Sequence, residues 1–200
     1  MNESERVVFH PDFERALAFA TRLHARQVRK GTDIPYISHL LAVASLVLEY
    51  GGGPDEAIAG LLHDAIEDCP KDYPGEVAAL RRDIESEFGH AVLEIVEGCT
   101  DTDSVRKPPW RERKERYIAH VREASASVRL VSCADKLHNS RSIVADLRVH
   151  GDALFARFKG GREGTLWYYT ALATVFTELG PRELAAELQR TVNTMNTLAA

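Results

Sequence analysis

The chain predicts an all-α fold, a single helical bundle of roughly eight to ten helices at ordinary helix lengths. Three observations carry that expectation. Apolar residues recur at three- and four-residue spacing along nearly the whole chain. Alternating strand-like runs are scarce, and the one ambiguous run, Val128-Arg129-Leu130-Val131, lies inside a longer helical pattern. Glycine and proline clusters punctuate the apolar segments at helix-like intervals. Two hundred residues suffice for one domain with a substantial core, spanning about residues 12–180, and leave no room for a second catalytic domain.

Taken in order, Phe13, Ala16, Leu17, Ala20 and Leu23 form the apolar stripe of a first helix, with Asp12 as its N-cap. Residues 26–35 are polar, contain Gly31 and Pro35, and read as a loop. A second helix runs from about Tyr36 to Tyr50, where Gly51-Gly52-Gly53-Pro54 stops it. Asp55 opens a third helix that carries Leu61, Leu62, His63 and Asp64. Cys69-Pro70 and Tyr73-Pro74-Gly75 mark a turn region, followed by helices near 76–88 and 90–98. A polar loop from Thr100 to Pro109 precedes helices near 110–123, 126–148 and 163–179. Pro181 fits the first turn of a last helix.

The bulk numbers exclude several function classes. A formal charge of -5 and a pI near 5.9 argue against a generally basic nucleic-acid binder. Two local basic runs stand out: Arg22, Arg26, Arg29 and Lys30, then Arg111, Arg113, Lys114 and Arg116, the second read as solvated helix surface. Cys69, Cys99 and Cys133 form no C-x-x-C pair, which suits reduced thiols in the cytoplasm. The start, Met-Asn-Glu-Ser-Glu-Arg, lacks a signal-peptide apolar core, and no apolar run approaches the roughly 20 residues that span a bilayer. The expectation is a cytoplasmic protein with no membrane and no nucleic-acid partner.

The chemistry-bearing residues fall in three motifs. His63-Asp64 ends an apolar segment in Gly60-Leu61-Leu62-His63-Asp64-Ala65-Ile66-Glu67-Asp68. His39 ends Pro35-Tyr36-Ile37-Ser38-His39, and Asp135 lies in Ala134-Asp135-Lys136-Leu137-His138-Asn139. Together His39, His63, Asp64 and Asp135 offer two imidazoles and two carboxylates, a donor set suited to a divalent ion of the manganese, iron or zinc kind. Four protein ligands on a six-coordinate ion leave positions for water and a substrate phosphate, the arrangement of a hydrolytic metal. On one continuous helix His63 and Asp64 stand about 100° apart and both reach the same ion.

Glu67 and Asp68 each follow a ligand by four residues and project towards its face, where a carboxylate can take a proton from water. Two acids at a helix C-terminus oppose the helix dipole, which favours a functional reading over plain surface. Asp135, His138 and Asn139 share a face at i, i+3 and i+4, and Asn139 offers a donor and an acceptor to a ribose or phosphate. For His138 the preferred reading is a tether between helices. His10, His24, His90, His120 and His150 read as surface or core residues. Trp167-Tyr168-Tyr169 reads as aromatic core from which one tyrosine reaches the pocket.

With these motifs in place the chain resembles the HD superfamily, and within it the hydrolase domain of the Rel/Spo alarmone enzymes and the small alarmone hydrolases. The matching pieces are Arg29-Lys30-Gly31 with Pro35 to His39, Leu61 to Asp68, Phe88-Gly89 with Val96 to Thr100, and Ala134 to Arg141. They occur in the family's order. The resemblance implies one bound Mn²⁺ and removal of the 3′-diphosphate of ppGpp, giving GDP and pyrophosphate. It implies His39, His63, Asp64 and Asp135 as metal ligands and Glu67 and Asp68 as the catalytic acidic pair. It implies Arg29, Lys30 and Asn139 as contacts to the nucleotide.

The chain departs from the family in having Leu40 where proline usually follows the first ligand histidine, and a loop between Lys30 and His39 that is one residue longer. A synthetase domain is not expected, so neither is synthesis of the alarmone. Two alternatives stay open at this point: an HD phosphohydrolase acting on another nucleotide, such as a nucleoside monophosphate or NADPH, and a non-catalytic nucleotide-sensing module.

Overall fold

The computed structural model describes residues 10–69, 73–102 and 108–200. Expectations that fall on residues 1–6, on Pro70 and on residues 103–107 lie outside the described residues.

The described residues fold into α1 (Pro11–Leu23), α2 (Ile37–Glu49), α3 (Pro54–Leu62), α4 (Ala65–Asp68), α5 (Glu76–Phe88), α6 (His90–Cys99), α7 (Trp110–Glu123), α8 (Ala126–His150), α9 (Gly161–Leu179) and α10 (Arg182–Leu198), with a 3₁₀ segment, Gly151–Arg157, between α8 and α9. No strand occurs among the described residues. The one extended pairing is an isolated antiparallel bridge between Val28 and Pro35, which pinches the loop after α1 into a hairpin. No helix among the described residues is long and apolar enough to cross a membrane.

The all-α expectation holds and most boundaries agree within a residue or two. Two helix starts differ for local reasons. The cap of α1 is His10, not Asp12: Pro11 fills the first helical position, and His10 Nδ1 accepts the Asp12 N–H at 3.4 Å. Asp12 then sits in the first turn, where the helix dipole favours an acid. α3 begins at Pro54, one residue early, and the Glu56 carboxylate reaches back to the Gly53 N–H at 3.0 Å.

α8 is the axis of the molecule. It packs against α2, α3, α6, α9 and α10. Its back is covered by α9 and α10, where Leu172, Phe176, Leu184, Leu188, Val192 and Met195 are buried. Each large side chain of that kind stabilises the fold by about 1.5–3 kcal/mol relative to exposure. Its front meets α2 and α3, which bury Leu40, Val43, Val47, Ile58, Leu61 and Leu62.

The four residues between α2 and α3 make those helices antiparallel neighbours, so the start of one lies beside the end of the other. Gly60 lets them close up. A Cβ at Gly60 would stand 3.2 Å from Ala44 Cα, inside normal contact. His39, near the start of α2, is thereby brought to His63, just past the end of α3.

Candidate metal centre and nucleotide cleft

The helix expected to carry both His63 and Asp64 does not. α3 ends at Leu62, His63 and Asp64 form a turn, and the one-turn helix α4 follows. The cause is local competition. The His63 Nδ1–H donates to the Gly60 carbonyl at 2.8 Å, the same carbonyl a continuing helix would give to the Asp64 N–H. Asp64 adopts φ -96° and ψ -2°, which swings its carboxylate towards the imidazoles.

That turn, the start of α2 and the middle of α8 bring all four expected ligands together. Asp64 Oδ2 lies 3.0 Å from His63 Nε2 and 3.6 Å from His39 Nε2. Asp135 Oδ1 lies 3.2 Å from His39 Nε2 and 3.8 Å from His63 Nε2. Donor atoms of His39, His63 and Asp135 all fall within 4.8 Å of one another. Adjacent ligands on an octahedral ion with bonds near 2.1 Å stand about 3 Å apart, so these separations fit one small cation.

The protons support the same reading. His63 Nδ1 gives its hydrogen to Gly60, so Nε2 is the atom that faces the carboxylates and is a lone pair whenever the ring is neutral. His39 Nδ1 pairs with His138 Nδ1 at 2.7 Å, and when His39 is the donor its Nε2 is bare as well. Both Nε2 atoms are buried without a hydrogen-bond partner. Two lone pairs and two carboxylates facing one point call for positive charge. Burial alone would lower the His63 pKa, but Asp64 and Asp135 outweigh it and push it well up. Burial alone would raise the Asp135 carboxyl, but Lys136 and the two imidazoles hold it well below the usual range. Asp64 behaves likewise, held low by His63 and His39 against burial. The site fits a divalent metal bound by nitrogen and oxygen.

Partners around the ligands fix them in place. The Tyr36 hydroxyl donates to Asp64 Oδ2 at 2.5 Å. Lys136 donates to Asp135 Oδ2, and Asn139 Nδ2 donates to Asp135 Oδ1. His24 stacks on Tyr36 with ring centroids 5.2 Å apart and pairs through Nδ1 with Gln27 Oε1 at 2.6 Å. Gln27 Nε2 donates in turn to Asp68 Oδ2 at 2.8 Å. The core histidine His24 therefore braces residues that touch both Asp64 and Asp68. His138 joins α8 to α2 as the tether reading expects, and the side chain it holds is a ligand candidate.

Beside the centre, reached through Tyr36, His138 and Asn139, lies a cleft of about 510 Å³ whose lining includes Arg29, Tyr36, Asp68, Asn139, Phe158 and Tyr169. Arg29 donates to Asn139 Oδ1 at 2.7 Å and lies over the Tyr36 ring at 5.8 Å. Lys30 lies 5.9 Å over the Phe158 ring. Arg29, Lys30 and Asn139 thus share one wall. The acidic pair does not share one face as expected. Asp68 lines this cleft, whereas Glu67 is half-buried on the side of Lys114, whose ammonium its charge favours. Consecutive residues on the short α4 point about 100° apart, and the turn at residues 63–64 has already re-aimed that helix.

A smaller cleft of about 310 Å³ meets Asn139 from its other side and is lined by Lys30, Lys114, Lys136, Lys159 and both Tyr168 and Tyr169. Both tyrosines are mostly buried, as core aromatics are, and Tyr169 borders both clefts. The second basic run is therefore not all solvated surface. Arg113 and Lys114 turn inwards to Asp101, while Arg111 and Arg116 stay outside on Glu115 and Glu112. Asp101 in the preceding loop was the one signal for that inward turn.

Comparison with known proteins agrees with this geometry. Residues 16–166 match the HD domain family. The chain is 37% identical over 131 residues to guanosine-3′,5′-bis(diphosphate) 3′-pyrophosphohydrolase MESH1 of Xenopus tropicalis, covering 64% of this chain and 67% of the relative. It is 33% identical over 135 residues to the bifunctional (p)ppGpp synthase/hydrolase SpoT of Escherichia coli K12, covering 64% of this chain but 18% of that longer protein. The solved structure of a metazoan SpoT ortholog that hydrolyzes ppGpp superposes with a TM-score of 0.71 at 25% identity, covering 96% of this chain and 97% of that one. A crystal structure from Listeria monocytogenes EGD-e superposes with a TM-score of 0.66 at 29% identity, covering 78% of this chain and 96% of that one. A buried His-Asp turn, two further ligand candidates on neighbouring helices and a match over most of the chain have one common explanation: this chain belongs to the HD-domain family.

Proposed function

We propose that the protein hydrolyses the 3′-diphosphate of ppGpp, releasing GDP and pyrophosphate. The observation that carries the reading is the convergence of His39, His63, Asp64 and Asp135 beside a cleft whose wall includes Arg29 hydrogen-bonded to Asn139. The relatives named for this activity support it.

In this reading the four converging side chains hold one divalent ion, and Mn²⁺ suits their mixed nitrogen and oxygen set. Such an ion supplies Lewis-acid activation of water and of the phosphoryl group. The remaining work belongs to the protein. Asp68, held by Gln27 at the cleft's edge, takes the proton of the attacking water. Glu67 completes the acidic pair on the Lys114 side. Arg29 and Lys30 meet the charge of the diphosphate, Arg29 with the planar fork that suits phosphate oxygens. Asn139 exchanges its bonds to Arg29 and Asp135 for the ribose and orients the 3′ oxygen. The other three lysines of the smaller cleft, Lys114, Lys136 and Lys159, receive the nucleotide's other diphosphate. The cytoplasm is the proposed compartment, consistent with a sparse cysteine count of three and no C-x-x-C pair.

The test is a release assay with purified, Mn²⁺-loaded protein on ppGpp, NADPH and nucleoside monophosphates. Pyrophosphate release from ppGpp is expected to dominate. Phosphate release from another nucleotide with none from ppGpp would keep the metal centre and transfer the function.

A further inference from the structure

The cleft contains a carboxylate that the metal chemistry does not use. Asp146 lines it, on α8, three turns beyond Asp135. Asp135, Asn139, Ser142 and Asp146 follow one another at i, i+4, i+7 and i+11, a spacing that keeps all four on one face of a straight helix. At 1.5 Å per residue, Asp146 stands about 10 Å beyond Asn139 along that face. A nucleotide whose phosphate sits at the metal centre and whose ribose sits at Asn139 therefore carries its base towards Asp146. Half-buried Phe158 lines the same cleft and gives a flat ring an apolar surface, with the buried Ile143 and Leu154 also in its wall.

Asp146 is also held still. Arg157 donates to its Oδ2 at 3.0 Å, and among the described residues this is its one hydrogen-bond partner. Arg157 is itself confined by the hairpin that carries Arg29 and Lys30. A Cβ at Gly31 would lie 2.9 Å from Arg157 Cδ, and Gly31 has φ +75°, so glycine alone permits this close packing without strain. The ion pair fixes one carboxylate oxygen and leaves the other, with the spare lone pair of the first, available to a ligand.

Charge makes this arrangement informative. A cleft that receives a polyanion gains nothing in affinity from a carboxylate, yet Asp146 stands in its wall besides the Asp68 assigned to the reaction. An acceptor-only group repays that cost when the ligand presents N–H donors to it. Guanine presents two adjacent donors, N1–H and the N2 amino group. Hypoxanthine presents N1–H alone, and adenine pairs a donor with an acceptor on the same edge.

We propose that Asp146, oriented by Arg157, reads the base and selects a purine with two adjacent N–H donors. This rests on the nucleotide placement proposed above. The competing account is that Asp146 merely anchors Arg157 under the hairpin.

The experiment measures kcat/KM for ppGpp and for its inosine and adenosine analogues, alongside equilibrium binding of GDP, IDP and ADP, for the wild type, Asp146→Asn and Arg157→Gln. All measurements use the Mn²⁺-loaded full chain, and thermal melting confirms folding. The wild type is expected to prefer guanine over hypoxanthine over adenine in both assays. Asp146→Asn presents one donor and one acceptor, which complements adenine. It is expected to lower the guanine-to-adenine ratio by about 10- to 100-fold, the scale of one bidentate base contact, mainly through KM and Kd. Arg157→Gln is expected to weaken all three nucleotides more evenly.

An unchanged ratio in Asp146→Asn, or equal losses for all bases in both variants, overturns the proposal and leaves an anchor. Selective GDP binding that depends on Asp146, without ppGpp turnover, supports the base reader and removes the proposed function. Turnover of ppGpp with no base preference does the reverse. Absence of both binding and turnover overturns both.

Discussion

Two of the buried polar clusters among the described residues invite comparison, and only one of them has the makings of a reaction centre. In the first, Asp101 sits between Arg113 and Lys114, with Asp101 and Arg113 side chains both under 10% exposed. In the second, His39, His63, Asp64 and Asp135 face one another. Burial and polarity do not separate them. The kind of atom left over does. Around Asp101 the partnerless atoms are an acceptor, Asp101 Oδ1, and a donor, Arg113 Nε, and opposite charges already touch. Around His63 the partnerless atoms are two imidazole Nε2 atoms facing two carboxylates, a donor set for a cation once both rings are neutral. The first cluster already holds both signs of charge in contact. The second is complete only with a cation. Asking which sign of charge a buried cluster lacks is therefore a better guide to a site than asking whether charge is buried.

Perturbing each cluster tests that contrast. The largest effect is expected from Asp64→Ala, which removes a charged ligand candidate and should abolish both metal retention and turnover, read by elemental analysis and the release assay. Unchanged metal content in that variant would sink the assignment. Next come Glu67→Gln and Asp68→Asn, expected to retain the metal and to lose about 10²–10⁴-fold in rate. Near-native turnover in both would return the pair to ordinary helix-end acids.

Chelating the ion should lower the melting temperature on the order of 10 °C, from about 4 kcal/mol of binding at a thousandfold excess over Kd, and Mn²⁺ should restore it. A melting curve indifferent to chelator would say that the facing acceptors need no cation. In the other cluster, Arg113→Met leaves Asp101 without its buried guanidinium and should cost about 3 kcal/mol in urea unfolding while metal content stays intact. Loss of metal there would erase the distinction between the clusters. The smallest effect is expected at the exposed pair of Arg116 with Glu112, where Arg116→Ala should cost under about 0.5 kcal/mol by the same unfolding measurement.

Much of this was readable from the sequence. The helices were legible because the apolar spacing is regular and because Gly51 to Pro54 can only be a stop. The ligand candidates were legible as residue types, since two imidazoles and two carboxylates in helical context suit few other tasks. What was hidden depended on side chains meeting across the chain. The break at His63 comes from its own imidazole taking the Gly60 carbonyl, and hydrophobic period is blind to that competition. Tyr36 lies 28 residues from the Asp64 it braces, and a tyrosine before a helix gives no hint of such a partner. Lys114 looks like any lysine of an exposed basic run until Asp101 draws it in. Glu67 and Asp68 parted company because the i+4 rule presumes an unbroken helix, and the break lay just upstream.

The unbroken length of α8 has a consequence for how such a protein can change over time. Asp135 and Asn139 are spaced by one rigid rod of 25 residues, as is everything else the rod presents to the cleft. Removing or adding one residue between them would rotate all that follows by about 100° and slide it by about 1.5 Å. The downstream half of the helix would lose its fit to α10 at the same stroke. Descendants can retune this stretch by exchanging letters, while gaining or losing one is closed to them. Loops such as the hairpin before α2 remain the places where length can drift.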